Sequence, residues 1–174
     1  MSTSTKKAHW ITPSYFQKYP FTMTWFDRAL RDDKSHIDDG DRFISLWICF
    51  NSIMRAEFGE NIPDHQLIEN AKQFDAFKLS FNSVFTTEKF KENFEKLKTF
   101  EIMDMRDPHN DLKIKLISND SWEDLVEILY HIRCNLFHGR KNIRDFGDDY
   151  TIVKVAYGVL LPLVEEYLSS YLKT

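Results

Sequence analysis

Two side chains five positions apart, Arg133 and His138, carry the clearest chemistry in this chain. They stand in the run Arg133-Cys134-Asn135-Leu136-Phe137-His138-Gly139-Arg140-Lys141-Asn142. Arginine offers a planar fork of donors that suits a phosphate, and histidine titrates near neutrality, so the pair can act on a phosphodiester without a metal ion. RNA is the natural substrate for such a pair. Its 2′-hydroxyl is an internal nucleophile: a histidine takes that proton or protonates the leaving oxygen, while the arginine stabilises the crowded phosphate.

Other chemistries lack their residues. The sequence has no Gly-rich phosphate loop, no His-Glu-x-x-His run and no nucleophile elbow. His131 and His138 share a helix face about two turns apart, which is too far for a zinc pair, and no further ligands accompany them. Neither a metal site nor a cofactor is expected.

The element that must position the pair is an apolar helix. At about 100° per residue, Trp122, Leu125, Val126, Leu129, Tyr130, Ile132, Leu136 and Phe137 fall within roughly 100° of Arg133. Asp124, Glu127, His131, Asn135 and His138 gather on the opposite side, which reads as the polar face. A guanidinium on an apolar face must be paired, snorkelling or held for a ligand, because arginine cannot escape burial by deprotonating. The competing reading is an arginine paired with a core carboxylate or packing its stem. Arg133 and His138 lie about 140° apart on an ideal helix. They can share one phosphate if the helix end unwinds at Gly139, or if a two-fold dimer packs motif helix against motif helix.

Around this helix the sequence predicts a single domain, 1–174, rich in helix. The 43% apolar and 15% aromatic content supplies one core, and fifteen Phe against five Gly and five Pro favour long regular elements. A net charge of −4 argues against a protein that coats nucleic acid. Any such contact must be local, and residues 133–144 are basic: Arg133, His138, Arg140, Lys141 and Arg144, with no acid among them. Cys49 and Cys134 read as small core residues. No leader or membrane-spanning run is evident, so the expected setting is cytoplasmic.

Residues 1–20 read as an extended N-terminal arm, followed by a helix over 23–34 capped by Thr22 or Thr24. Ser35 to Asp41 reads as a charged loop around Gly40. From Asp41, Phe43, Leu46, Trp47, Phe50, Ile53 and Met54 recur at helical spacing until Gly59 ends the element. Asn51 falls among apolar neighbours on that helix and needs hydrogen-bond partners. Shorter amphipathic helices are expected over 64–80 and 86–100, a loop over 107–111, and a short strand or extended connection over 112–117. Asp120 or Ser121 can cap the motif helix. Tyr150 to Leu172 reads as a long apolar helix kinked at Pro162.

The run from Arg133 to Lys141, with Arg, four residues, then His, resembles the signature of the HEPN superfamily, especially its prokaryotic Arg-x-Asn-Leu-Phe-His-Gly variants. Trp47-Ile48-Cys49-Phe50-Asn51-Ser52 is similar to the Trp-x-x-Phe-Asn segment on an early helix of such proteins, and a long apolar helix after the motif is also usual. Residues 60–118 match nothing in that pattern. The resemblance implies an all-α, up-and-down helical bundle, here with extra short helices and the N-terminal arm, that pairs into a homodimer. It implies a metal-independent endoribonuclease leaving a 2′,3′-cyclic phosphate, with Arg133 and His138 catalytic and Asn135 supporting. Asn51 is carried over as a hydrogen-bond partner of the motif and, with Arg140, Lys141 and Arg144, is placed with the substrate. Toxin–antitoxin, phage-defence and RNA-processing settings follow, with RNA, a second copy and an antitoxin protein as partners. The alternative is a non-catalytic module that binds RNA, a nucleotide or a protein through the same cleft.

Overall fold

Apolar side chains recurring every three or four positions become helices in the computed structural model, which describes residues 21–31, 39–104, 106, 112–137 and 148–171. In chain order the elements are α1 (Thr22–Leu30), α2 (Asp39–Phe58), α3 (Asp64–Lys72), α4 (Asp75–Val84), α5 (Glu88–Lys98), β1 (Ile102–Met103), β2 (Lys113–Ile114), α6 (Trp122–Phe137) and α7 (Asp148–Tyr171). The described chain is thus a helical bundle with one two-strand hairpin. The expected N-terminal arm over 1–20 and the loop over 107–111 lie outside the described residues.

One contiguous core draws on every helix. Phe77 is near its middle, stacked on Tyr167 at 4.5 Å and on Trp122 at 5.6 Å, with Phe50 edge-on at 5.1 Å. Such offset and edge-on pairs add attraction beyond the area they bury. The Trp122 indole N–H donates to the Ala71 carbonyl at 2.9 Å, so the ring is buried with its polar atom satisfied. Phe43, Leu46, Trp47, Phe50, Ile53 and Met54 are all buried on α2, as their spacing predicts. Cys49 and Cys134 are buried free thiols, and burial pushes the Cys49 thiol well above the usual cysteine range. No helix among the described residues is long and apolar enough to cross a membrane.

Several boundaries depart from expectation for identifiable reasons. Thr22 is not a cap: it lies inside α1 with its hydroxyl 2.9 Å from that of Ser52, and Phe21 precedes the helix with no side-chain cap. Helix α2 begins at Asp39, so Gly40 and Asp41 are helical rather than loop. Residues 64–80 form two helices, with Phe74 extended between them (φ −81°, ψ 105°). On one unbroken helix at about 100° per residue, the arc of Leu67, Ile68 and Ala71 would lie more than roughly 100° from that of Phe77, Phe81 and Val84. The break turns both arcs to the same core. It also seats the Phe74 ring against Phe58 at 5.3 Å and Tyr167 at 6.1 Å.

The extended connection at 112–117 does contain a strand, and its partner is β1: Ile102 pairs with Ile114 and Met103 with Lys113, antiparallel. This hairpin covers the side of α6 that its residue spacing marks as polar. His131 and Asn135 are 0% and 1% exposed, covered by protein rather than by water. Ser121 caps α6, accepting from the Asp124 backbone N–H at 3.1 Å. Helix α7 carries Pro162 in its interior. The ring removes the N–H that would bond the Gly158 carbonyl, and the Asn93 amide of α5 donates to that carbonyl at 3.4 Å instead.

Candidate functional site

Three elements meet around Arg133. Helix α2 presents Trp47, Ile48, Asn51 and Arg55, which fall within about 100° on one face. Asp64 opens α3, and Arg133 and Phe137 follow one another by one turn on α6. Together they line an open pocket of ≈ 160 Å³. That is below the roughly 300–1,000 Å³ of sites that enclose a whole small molecule, so it suits one phosphate or one ring.

Arg55 holds the pocket together. Helix α2 ends at Phe58, and Gly59 at φ 119° turns the chain where a side chain would be strained. Arg55 reaches across that turn, donating from Nη1 to the Glu60 carbonyl at 2.7 Å and the Ile62 carbonyl at 3.1 Å. Its Nε donates to Asn51 Oδ1 at 2.8 Å and its Nη2 to Asp64 Oδ1 at 2.6 Å. Every nitrogen of this guanidinium is engaged. Because Asn51 accepts through its oxygen, its amide NH₂ is left as a donor.

Arg133 is the opposite case. Its side chain is 24% exposed, and its one carboxylate partner among the described residues is Asp64, with Oδ2 at 3.5 Å. That separation is longer than a good N–H···O bond. Nη1 lies 3.7 Å from Cys134 Sγ, a weak acceptor, and the guanidinium carbon sits 4.5 Å over the Phe137 ring. Nε is buried without an acceptor among the described residues, as is the indole N–H of Trp47. Two residues of the pocket lining thus each hold a buried donor that no described residue satisfies. Tyr130 lies behind it, 6.3 Å from Trp47 between ring centroids. Burial first, then the neighbouring Cys134 and Asp64, push its hydroxyl up to about 12, against an opposing pull from Arg133.

Of the residues marked out by sequence, the structure brings Arg133 and Asn51 to one pocket and turns Asn135 away from it. The Asn135 amide donates to the Met103 carbonyl at 3.0 Å and the His131 carbonyl at 2.8 Å, tying α6 to the hairpin. His131 belongs to the same side, with Nε2 3.0 Å from Glu127 Oε1 and Nδ1 3.7 Å from Asp104 Oδ1. Glu127 also pairs with Lys72 at 2.8 Å, and Asp104 with Arg106 at 2.6 Å. His138, Arg140, Lys141 and Arg144 lie outside the described residues.

The motif reading missed Arg55, Asp64 and Trp47 as pocket residues. Arg55 stands four places after Asn51, so their adjacency was in the helical spacing; the contribution of Asp64 depends on the turn at Gly59 and had no local signal. Among the described residues no group of three or more His, Cys, Asp or Glu is placed to hold a metal ion. Compared with known proteins, the chain matches no family model, no curated protein and no solved structure.

Proposed function

We propose that this chain is a metal-independent endoribonuclease of the HEPN type, acting as a homodimer on RNA with Arg133 and His138 as its catalytic residues. The observation that carries the reading is the state of Arg133: a guanidinium lining an open pocket, with, among the described residues, no acceptor for its buried Nε and one carboxylate partner, at 3.5 Å. A buried donor left unmade is costly unless a ligand completes it. A phosphate would take the Nη donors at the exposed end of the Arg133 side chain, and the free amide donor of Asn51 adds a second contact. Phe137, 54% exposed at the end of α6, gives the site an apolar rim of the kind a second copy would cover.

In the proposed reaction the RNA 2′-oxygen attacks phosphorus as its proton passes to one His138. The bond from phosphorus to the 5′-oxygen breaks, and that oxygen leaves with a proton from the other copy's histidine. The products are a 2′,3′-cyclic phosphate and a 5′-hydroxyl. Arg133 stabilises the charge that builds on the phosphate oxygens. A toxin or phage-defence role, with an antitoxin as partner, is the setting this activity would fit.

The test is cleavage of single-stranded and structured RNA with EDTA present. Arg133→Ala is expected to slow cleavage by about 10²–10³-fold and His138→Ala by about 10²–10⁴-fold, with cyclic phosphate on the wild-type product. If wild type and both variants share one background rate, the catalytic reading is wrong. A second reading, a non-catalytic module that binds RNA, a nucleotide or a protein, is favoured by the described lining of the pocket, which contains no histidine. It expects wild type to bind a 2′-deoxy oligonucleotide in an Arg133-dependent manner and to leave RNA intact.

A further inference from the structure

We infer that Asp64 sets the phosphate selectivity of the Arg133 pocket, favouring an internal phosphodiester over a terminal phosphate monoester. This rests on Arg133 being a phosphate ligand. Three described side chains of the lining carry charge: Arg55, Arg133 and Asp64. Their sum is one positive unit. A phosphodiester carries a single negative charge and brings the pocket to neutrality. A terminal phosphate above its second ionisation, near pH 6, carries close to two, and its extra charge would face Asp64 uncompensated.

Asp64 cannot simply swing aside when a ligand enters. Its Oδ1 is held by Arg55 Nη2 at 2.6 Å, and Arg55 is itself anchored on the carbonyls of Glu60 and Ile62 and on Asn51. The bond to Arg133 is the weak one at 3.5 Å. An incoming phosphate therefore displaces Asp64 from Arg133 without displacing it from the pocket. The carboxylate remains as a fixed negative neighbour whose repulsion bears about twice as heavily on a dianion as on a monoanion. For an enzyme that cuts within a chain, this discriminates against chain ends.

The experiment compares thymidine 3′-phosphate with its methyl ester at pH 7.5, both lacking the 2′-hydroxyl so that nothing is cleaved. Binding to the full chain is followed by NMR titration. Wild type is expected to bind the methyl ester at least as tightly as the monoester. Asp64→Asn keeps an acceptor for Arg55 and is expected to shift the affinity ratio toward the monoester by roughly tenfold, with Asp64→Ser shifting it the same way. Because the ratio compares two ligands on one protein, partial loss of folding does not mimic the shift. An unchanged ratio in both variants overturns the role of Asp64 and leaves the Arg133 site standing. If wild type binds neither ligand, or Arg133→Ala binds both as well as wild type does, the phosphate reading of Arg133 falls and this inference with it.

Discussion

Arg55 and Arg133 each reach one oxygen of the Asp64 carboxylate, and their contacts divide the labour between them. Arg55 spends its donors on Asn51, Asp64 and two carbonyls of the α2–α3 turn, whereas Arg133 keeps most of its donors unused. Truncating Arg55 should therefore destabilise the fold more than truncating Arg133 does. Arg55→Ala is expected to lower stability by about 2–3 kcal/mol, because charge-assisted bonds are lost and their acceptors are stranded. Arg133→Ala should cost under about 1 kcal/mol, since it gives up one long ion pair and relieves a buried unmade donor. Urea denaturation of the two variants would show the order, and the reverse order would exchange their roles. The inward face of Arg133 was legible from period alone. The saturation of Arg55 was not, because its carbonyl partners exist only once Gly59 has turned the chain. The partners of Asn135 were hidden for a related reason: its polar side of α6 looks solvated until β1 and β2 are folded over it.

Between elements, the seam of α5 and α7 shows how a local rule violation is absorbed by a neighbour. Pro162 was visible in the sequence as a helix breaker, yet the element continues from Asp148 to Tyr171. Its freed carbonyl, that of Gly158, takes the Asn93 amide at 3.4 Å, and a Cβ at Gly158 would lie 2.8 Å from Asn93 Nδ2. The two positions are coupled, so their substitutions should not add. Asn93→Ala is expected to cost about 0.5–1 kcal/mol through the stranded carbonyl. Gly158→Ala alone should strain the seam, while the double variant removes the clash and recovers part of that loss. Strict additivity in thermal denaturation would refute the coupling. The same scale explains the break between α3 and α4. Two apolar arcs out of phase on one helix are readable from spacing, whereas Phe74 filling the gap depends on Phe58 and Tyr167, far away in sequence.

Across the molecule, a chain of ionisable side chains links α3, the hairpin and α6: Lys72, Glu127, His131, Asp104 and Arg106. The Arg106 hydrogen bonds hold the Asp104 carboxyl at about 2 against the opposing effect of burial. The His131 hydrogen bond, and after it Lys72, hold Glu127 at about 2 against the same opposition. Both values lie below the 3.8 and 4.5 of the free side chains. A carboxylate whose folded value is depressed stabilises the fold fully above its unfolded value, and that stability disappears as pH falls through the folded one. The loss should therefore begin just below pH 5 and be nearly complete near pH 2. Partial exposure screens the effect to on the order of 1–2 kcal/mol for each group. Urea midpoints at pH 6, 4 and 3 should fall in that order. Glu127→Gln, which cannot ionise, should be less stable at pH 6 and lose less on acidification. A variant that falls as steeply as wild type would show that other carboxylates carry the acid sensitivity. The network sits on the side of α6 opposite Arg133, so acid should loosen the hairpin's hold on His131 and Asn135 and thereby the helix that presents the arginine. On the proposed reading of Arg133 as a phosphate ligand, its phosphate binding is then expected to weaken over the same pH window in wild type and less so in Glu127→Gln.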